Sequence, residues 1–220
     1  MKNVFYNIVQ SLIGPFRLKV GREDPSPIET RSDPAKLFTS DSEIKIIKDF
    51  LSKNKYSRPG RLLSSVNGIV IHWVANPRTS AKANRNYFEN RKGGKYGYGS
   101  AHFFCDLDGD IIQVIPEKEV AYNCGARSYI DGIQAKLGRW PNGTTLSIEC
   151  CHEDWAGEMS NETYGALVKL TAHLCRKYGL DARHLYLHYD VTGKRCHRWF
   201  VDNPQQWAHF KNTIDKMVGG

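Results

Sequence analysis

Residues 69–75 read IVIHWVA, a run of β-branched and aromatic side chains carrying one histidine, His72. Branching at Cβ suits a pleated, packed surface, and an unbroken short apolar run between turn signals is how a buried strand reads. Both turn signals are present, Asn67-Gly68 before the run and Asn76-Pro77 after it. A buried strand needs helices over it, so the rest of the chain is expected to alternate the two element types.

That alternation is there. Ser80 stands as a cap before AKANRNYFENRK, in which Ala81, Asn84, Tyr87 and Phe88 share one helical face. The glycine cluster GGKYGYGS at 93–100 is expected as a mobile loop. Residues 100–116, SAHFFCDLDGDIIQVIP, predict a hairpin turning at Asp108-Gly109, a dipeptide that supplies positive φ at little cost. Asn142-Gly143 precedes TTLSIECCHE, a second buried strand with Glu149 near its end. Behind Ser160 and Glu162, Leu167, Leu170, Leu174 and Tyr178 recur at three to four residues and predict a helix stopping at Gly179. LYLHYD at 185–190 is expected to be the last strand, with a closing helix over 204–217. Nearer the start, TSDSEIKIIKDFLSKN at 39–54 predicts a helix with Ile44, Ile47 and Leu51 on one stripe, widened by Ile46 and Phe50. The preceding stretch at 21–34 carries three prolines and six charges, which suits an exposed connector. The expected organisation is an N-terminal extension and linker over residues 1–41 and an α/β domain over 42–220, built as a central mixed β-sheet flanked by helices.

Composition narrows the partners. With 40% hydrophobic residues in 220, the chain is not a disordered one and has length enough to bury about 70% of its unfolded surface. No stretch approaches the roughly 20 apolar residues of a membrane span, and Tyr6, Asn7, Gln10 and Ser11 interrupt the segment at 4–16, so neither a span nor a signal peptide is read. Lys and Arg number 31 against 23 Asp and Glu, a net charge of +8 that favours an anionic partner: nucleic acid, anionic wall polymer or a membrane surface. The basic residues are spread from Lys2 to Lys216, whereas nucleic-acid binding needs them gathered with aromatics on one face. Six cysteines, at 105, 124, 150, 151, 175 and 196, allow cystines by count, but the length and the lack of an export signal favour reduced thiols.

Three residues together point to metal chemistry. His72, His188 and Cys196 offer two imidazoles and a thiolate, and three protein ligands leave a fourth tetrahedral position open, as in catalytic zinc sites. Taken singly, each has a plainer reading, since a lone strand histidine is commonly a hydrogen-bonded core residue and a lone buried cysteine is commonly packing. Glu149, among apolar neighbours, is either paired or functional, because burying an unpaired carboxylate is costly. His184 and His188 have the four-residue spacing of a helical zinc motif, yet Leu-Tyr-Leu between them lacks its glutamate. Cys150 and His152 could converge on one face of a strand, with Cys151 on the other, and packing is the simpler account.

The blocks IVIHWV, SAHFFCDLDGDIIQVIPEKEVAY, LSIECCH and LHYDVTGKRC, in this order and spacing, resemble the zinc-dependent N-acetylmuramoyl-L-alanine amidases of the amidase-2 type. NKYSRPG, ANRNYFEN and FVDNPQQW add a likeness to its phage endolysin and autolysin branch, and the group is related to peptidoglycan-recognition proteins. The resemblance covers about residues 45–212. It implies His72, His188 and Cys196 as ligands of one Zn2+, Glu149 as the base, and Lys194, two residues before the cysteine, as a cation facing the oxyanion. His102 and Asn123 fall at positions beside the cleft and are the expected substrate-binding residues. It also implies a peptidoglycan substrate, adhesion of the basic chain to anionic wall polymers, and an enzyme made in the cytoplasm that acts on the wall after release. Two relatives of other function are weighed beside this: a cytosolic muropeptide-recycling amidase, and an inactive recognition module, which typically lacks the cysteine that is present here. The sequence departs from the pattern at Asn123, where a histidine is common, at Ala101, where one branch has tyrosine, and at His197, where proline usually follows the cysteine.

Overall fold

The run at 69–75 becomes a strand deep inside a mixed sheet. The computed structural model of the chain describes residues 44–219, so the expected extension over 1–41, its boundary, and the first residues of the 39–54 segment lie outside the described residues. Six strands lie among them: β1 (Ile46–Lys48), β2 (Gly68–Trp73), β3 (Phe103–Cys105), β4 (Ile111–Gln113), β5 (Thr145–Cys150) and β6 (Leu185–Leu187). Their order across the sheet is β1-β4-β3-β5-β2-β6. The β3/β4 hairpin is antiparallel and the other pairs are parallel. The helices are α1 (Ala81–Asn90), α2 (Ile133–Leu137), α3 (Asn161–Tyr178), α4 (His188–Thr192), α5 (Arg198–Asp202) and α6 (Pro204–Val218). This is the α/β sheet flanked by helices that the sequence predicts.

Side-chain parity assigns the two faces of the sheet. Ile69 and Ile71 of β2, Leu146 and Ile148 of β5 and Leu185 and Leu187 of β6 share one core with Leu167, Leu170 and Leu174 of α3 and Phe210 and Ile214 of α6. On the other face Val70 packs with Tyr186, Ile133 and Leu137, while Phe104 and Ile112 pack with Leu51 and Ala81. Each such large side chain contributes about 1.5–3 kcal/mol on burial. The predicted caps operate: Ser80 accepts from the Ala83 N–H, Ser160 accepts from the Thr163 N–H, and Gly179 ends α3 at φ 65°. Gly109 turns the hairpin at φ 88°, a conformation other residues adopt only with strain. Asp106, at the mouth of that hairpin, accepts from the backbone N–H groups of Ala81 and Leu107 and so joins β3 to the start of α1.

Two expectations are corrected. The described part of 39–54 is not helical: residues 46–48 form β1, with Ile46 packed on one core and Ile47 on the other, as strand alternation requires. The N–H groups of Asp49 and Leu51 continue the ladder onto Gln113 and Val114, both at 2.9 Å. A ready strand partner outcompetes a weak local helix preference. The second correction concerns LYLHYD, which is strand only to Leu187. The Asp190 carboxylate turns back to accept from the Leu187 N–H at 2.8 Å, so His188 opens the short helix α4. Helices α2 and α5, five residues each, were not anticipated because one turn carries no readable period. Among the described residues, no helix is long and apolar enough to cross a membrane.

Candidate metal centre and cleft

Parity and register bring the chemistry together. His72 lies on the β2 face opposite α3, at the carboxyl end of the strand, and the parallel register pairs it with Glu149 of β5. Adjacent strands stand about 4.8 Å apart, so these side chains are neighbours although 77 positions separate them. The carboxyl ends of parallel strands are where open α/β sheets hold ligands. β6 delivers His188 to the same place, and a turn through Gly193, φ 78°, brings the chain back so that the Tyr189 N–H bonds the Cys196 carbonyl at 2.8 Å.

His72, His188 and Cys196 are 2%, 7% and 2% exposed, and their candidate ligand atoms all lie within 4.8 Å of one another. Cys196 Sγ is 3.6 Å from His72 Nδ1, and the two imidazole rings meet edge to face at 4.8 Å. Donors bound to one tetrahedral ion at 2.0–2.3 Å stand about 3.5 Å apart, so the sulfur and nitrogen already have the separation of two ligands. Burial, then the neighbouring His188 and Lys194, pushes His72 well below the usual imidazole range, and burial with Lys194 takes His188 to about 4. Both rings are therefore neutral donors. Burial and then the Glu149 charge push the Cys196 thiol up to about 12, so a cation arriving here would displace its proton. Two neutral imidazoles and a thiolate suit a borderline-soft divalent ion, and no other group of three such side chains converges among the described residues.

The cleft above these groups has a volume of about 560 Å³, and Glu149, Lys194 and Asn123 line it together with the three donors. Glu149 Oε2 is shut off from solvent with no hydrogen-bond partner; burial raises its carboxyl to about 8, against the opposing pull of Lys194. Lys194 itself is exposed at the rim. Asn123 turns its polar atoms inward, Nδ2 toward the Ala121 carbonyl and the Thr145 hydroxyl and Oδ1 into a buried position.

His102 does not reach the cleft, which corrects the expectation that it contacts substrate. It is fully buried, with Nδ1 3.0 Å from Ser147 Oγ and Nε2 2.9 Å from the Glu119 carbonyl, so both ring nitrogens are used in joining β3 to its surroundings. His197 packs on Phe200 at 4.9 Å and is not among the converging donors. His184 is tied to Asp181, and the neighbouring Cys150 and Cys151 are packed into opposite cores. All six cysteines are buried and unpaired. Sequence reasoning missed Arg91, Tyr98, Tyr122 and Arg127, which line the cleft. The available signal was the density of tyrosine and arginine beside glycines at 91–100 and 122–127. Arg91 organises the glycine-rich loop by donating to the carbonyls of Tyr96, Gly97 and Tyr98.

The Amidase_2 family model, described as N-acetylmuramoyl-L-alanine amidase, matches residues 62–199. A probable N-acetylmuramoyl-L-alanine amidase of Bacillus licheniformis is 37% identical over 178 residues, a span covering 80% of this chain and 49% of that protein. The N-acetylmuramoyl-L-alanine amidase CwlL of the same species is 36% identical over 181 residues, covering 80% and 48%. The chain thus spans about half the length of the curated relatives it matches. Among solved structures, the catalytic domain of XlyA aligns with a TM-score of 0.59 at 25% identity, over 78% of this chain and 99% of that one.

Proposed function

The chain belongs to the N-acetylmuramoyl-L-alanine amidase family, and on that premise we propose that it hydrolyses the amide between N-acetylmuramic acid and L-alanine in peptidoglycan, with one zinc ion held by His72, His188 and Cys196. The supporting observation is the convergence of two neutral imidazoles and a thiol at ligand separation, with an unpartnered carboxylate on the neighbouring strand. When bound, zinc supplies Lewis-acid polarisation of the scissile carbonyl and a lowered pKa for the attacking water.

The protein's own groups do the rest. Glu149 in its ionised form takes a proton from the attacking water as the new C–O bond forms, and returns it to the alanine nitrogen as the C–N bond breaks, leaving a neutral amine and a lactyl carboxylic acid, which then gives its remaining proton to solvent. A positioned acid-base of this kind contributes about 10²–10⁴ in rate. Its raised pKa suits both halves of the transfer, since a carboxylate of ordinary acidity is a weak base and a poor proton carrier at neutral pH. Lys194 at the rim presents its ammonium to the oxyanion, where one fixed donor contributes about 3 kcal/mol. Residues 42–220 form the catalytic domain in this reading, the enzyme is a lytic one of the endolysin or autolysin kind, and the net charge of +8 draws it to anionic wall polymers.

The test is digestion of purified Gram-positive walls with metal analysis of the same preparation. The wild type should hold one zinc per chain, clear the walls and release L-alanine amino termini, as read by mass spectrometry of the muropeptides. Glu149→Ala should retain the zinc and lose hydrolysis. Hydrolysis persisting in Glu149→Ala, or in metal-stripped wild type, would overturn the mechanism.

A further inference from the structure

Asn123, which stands where the family commonly has histidine, lines the same cleft as His72, and its side chain works against the effect of burial on that ring. Each of the two side chains holds one buried polar atom with no hydrogen-bond partner, Oδ1 on Asn123 and Nε2 on His72. Their orientations are set independently. His72 Nδ1 lies 3.6 Å from Cys196 Sγ, so Nδ1 is the nitrogen turned toward the converging donors and Nε2 is turned away from them. Asn123 Nδ2 points at the Ala121 carbonyl and the Thr145 hydroxyl, both at 3.4 Å, and that hydroxyl gives its own proton to the Pro141 carbonyl at 2.8 Å. The Thr145 oxygen is thereby left to accept, the amide is oriented NH2 end inward, and its carbonyl end is left for the ring. The loop cannot drift, because Asn142 Oδ1 accepts from the N–H groups of both Asn123 and Cys124, at 3.1 and 2.8 Å.

Resting on the reading of His72 as a metal ligand, we propose that Asn123 is a positioning residue: its Oδ1 accepts the proton of His72 Nε2 and holds the imidazole in the tautomer whose Nδ1 lone pair faces the ion. A neutral imidazole carries its proton on one nitrogen only, and the hydrogen bond made by that nitrogen decides which one is free to bind metal. Asn123 does this through a chain of four groups, from the Pro141 carbonyl through Thr145 and Asn123 to the ring. The role differs from the substrate contact expected of this position, and it accounts for an inward-facing oxygen in a residue that lines the cleft.

Losing an outer partner of a ligand histidine typically weakens metal binding about 10–100-fold. Asn123→Leu should therefore raise the zinc dissociation constant by that factor in a chelator competition, while Asn123→Asp, which keeps an acceptor, should bind as tightly as wild type or more so. In metal-free wild type, the 15N shifts of His72 should report the proton on Nε2, and in Asn123→Leu they should report a mixture of tautomers. A role confined to packing would leave the tautomer unmoved and would not be rescued by aspartate. Wild-type affinity in Asn123→Leu, or a metal-free His72 protonated on Nδ1, would overturn the assignment. A wild type that binds no zinc would overturn the metal-site reading instead, and the His72 tautomer of the metal-free protein would still decide whether Asn123 orients the ring.

Discussion

Lys194 shows how much one exposed side chain does in a buried site. It stands on the rim, yet its charge opposes the effect of burial on Glu149 and adds to it on His72 and His188. Replacing it with methionine keeps the stem and removes the cation. Steady-state kinetics on a defined muropeptide should show kcat down about 100-fold with KM little changed, the pattern of a group that acts only on the transition state. A large rise in KM at constant kcat would mean that Lys194 binds the ground-state substrate and not the oxyanion. At this scale the convergence of His72, His188 and Cys196 was legible because imidazole and thiolate have few alternative uses in that combination. His102 was misread for the opposite reason: its type fits a cleft, and only the Ser147 and Glu119 contacts, made across 45 and 17 positions, reveal a satisfied core residue. Asn123 was legible as a departure, but the inward turn of its amide was not.

Short segments are held by what they meet in space, and this is where reading along the chain fell short. Ile44, Ile46, Ile47 and Leu51 satisfy a helical stripe and a strand alternation equally well, and β4 decided between them. At 185–190 the missed signal was Asp190, a carboxylate three residues after the last strand position, which is the spacing of a cap. The long helix α3 needed no such help, having caps at both ends and four apolar residues in phase. Another clamp gives a prediction at this scale. Glu89 of α1 accepts from the backbone N–H and the hydroxyl of Ser52, which pins the segment after β1. Burial alone would raise its carboxyl, but the two Ser52 bonds, with Lys92 and Arg85, outweigh that and hold it at about 2 against the ordinary 4.5. The stabilisation is therefore complete above the ordinary value and is lost as the pH falls through the folded-state value near 2. Screening keeps it to about 1 kcal/mol. Urea midpoints of wild type and Glu89→Gln should differ by a constant amount above pH 5 and converge between pH 4.5 and 2. A gap unchanged at pH 2 would show that the carboxylate charge contributes nothing.

Over the whole molecule, the sheet separates duties by face. The side toward α3 and α6 is an apolar layer, while the opposite side, at the carboxyl ends of β2, β5 and β6, carries the donors and the cleft. The general α/β plan was legible because strands of β-branched residues alternate with helical periods, whereas the strand order was not, since register is a property of pairs distant along the chain. The cysteines carry a consequence for the entire fold. With none of the six thiols joined to another, and all but Cys196 kept out of the cleft, the protein contains its own opening clock. An aromatic disulfide reagent should find no rapidly reacting sulfur besides Cys196 in the cleft, and all six should become reactive in denaturant. Between those limits, the slow rate of labelling counts how often the interior is breached, with no probe having to be attached. A fast-reacting thiol other than Cys196 in the native protein would mark a local breach at the cysteine that mass mapping identifies.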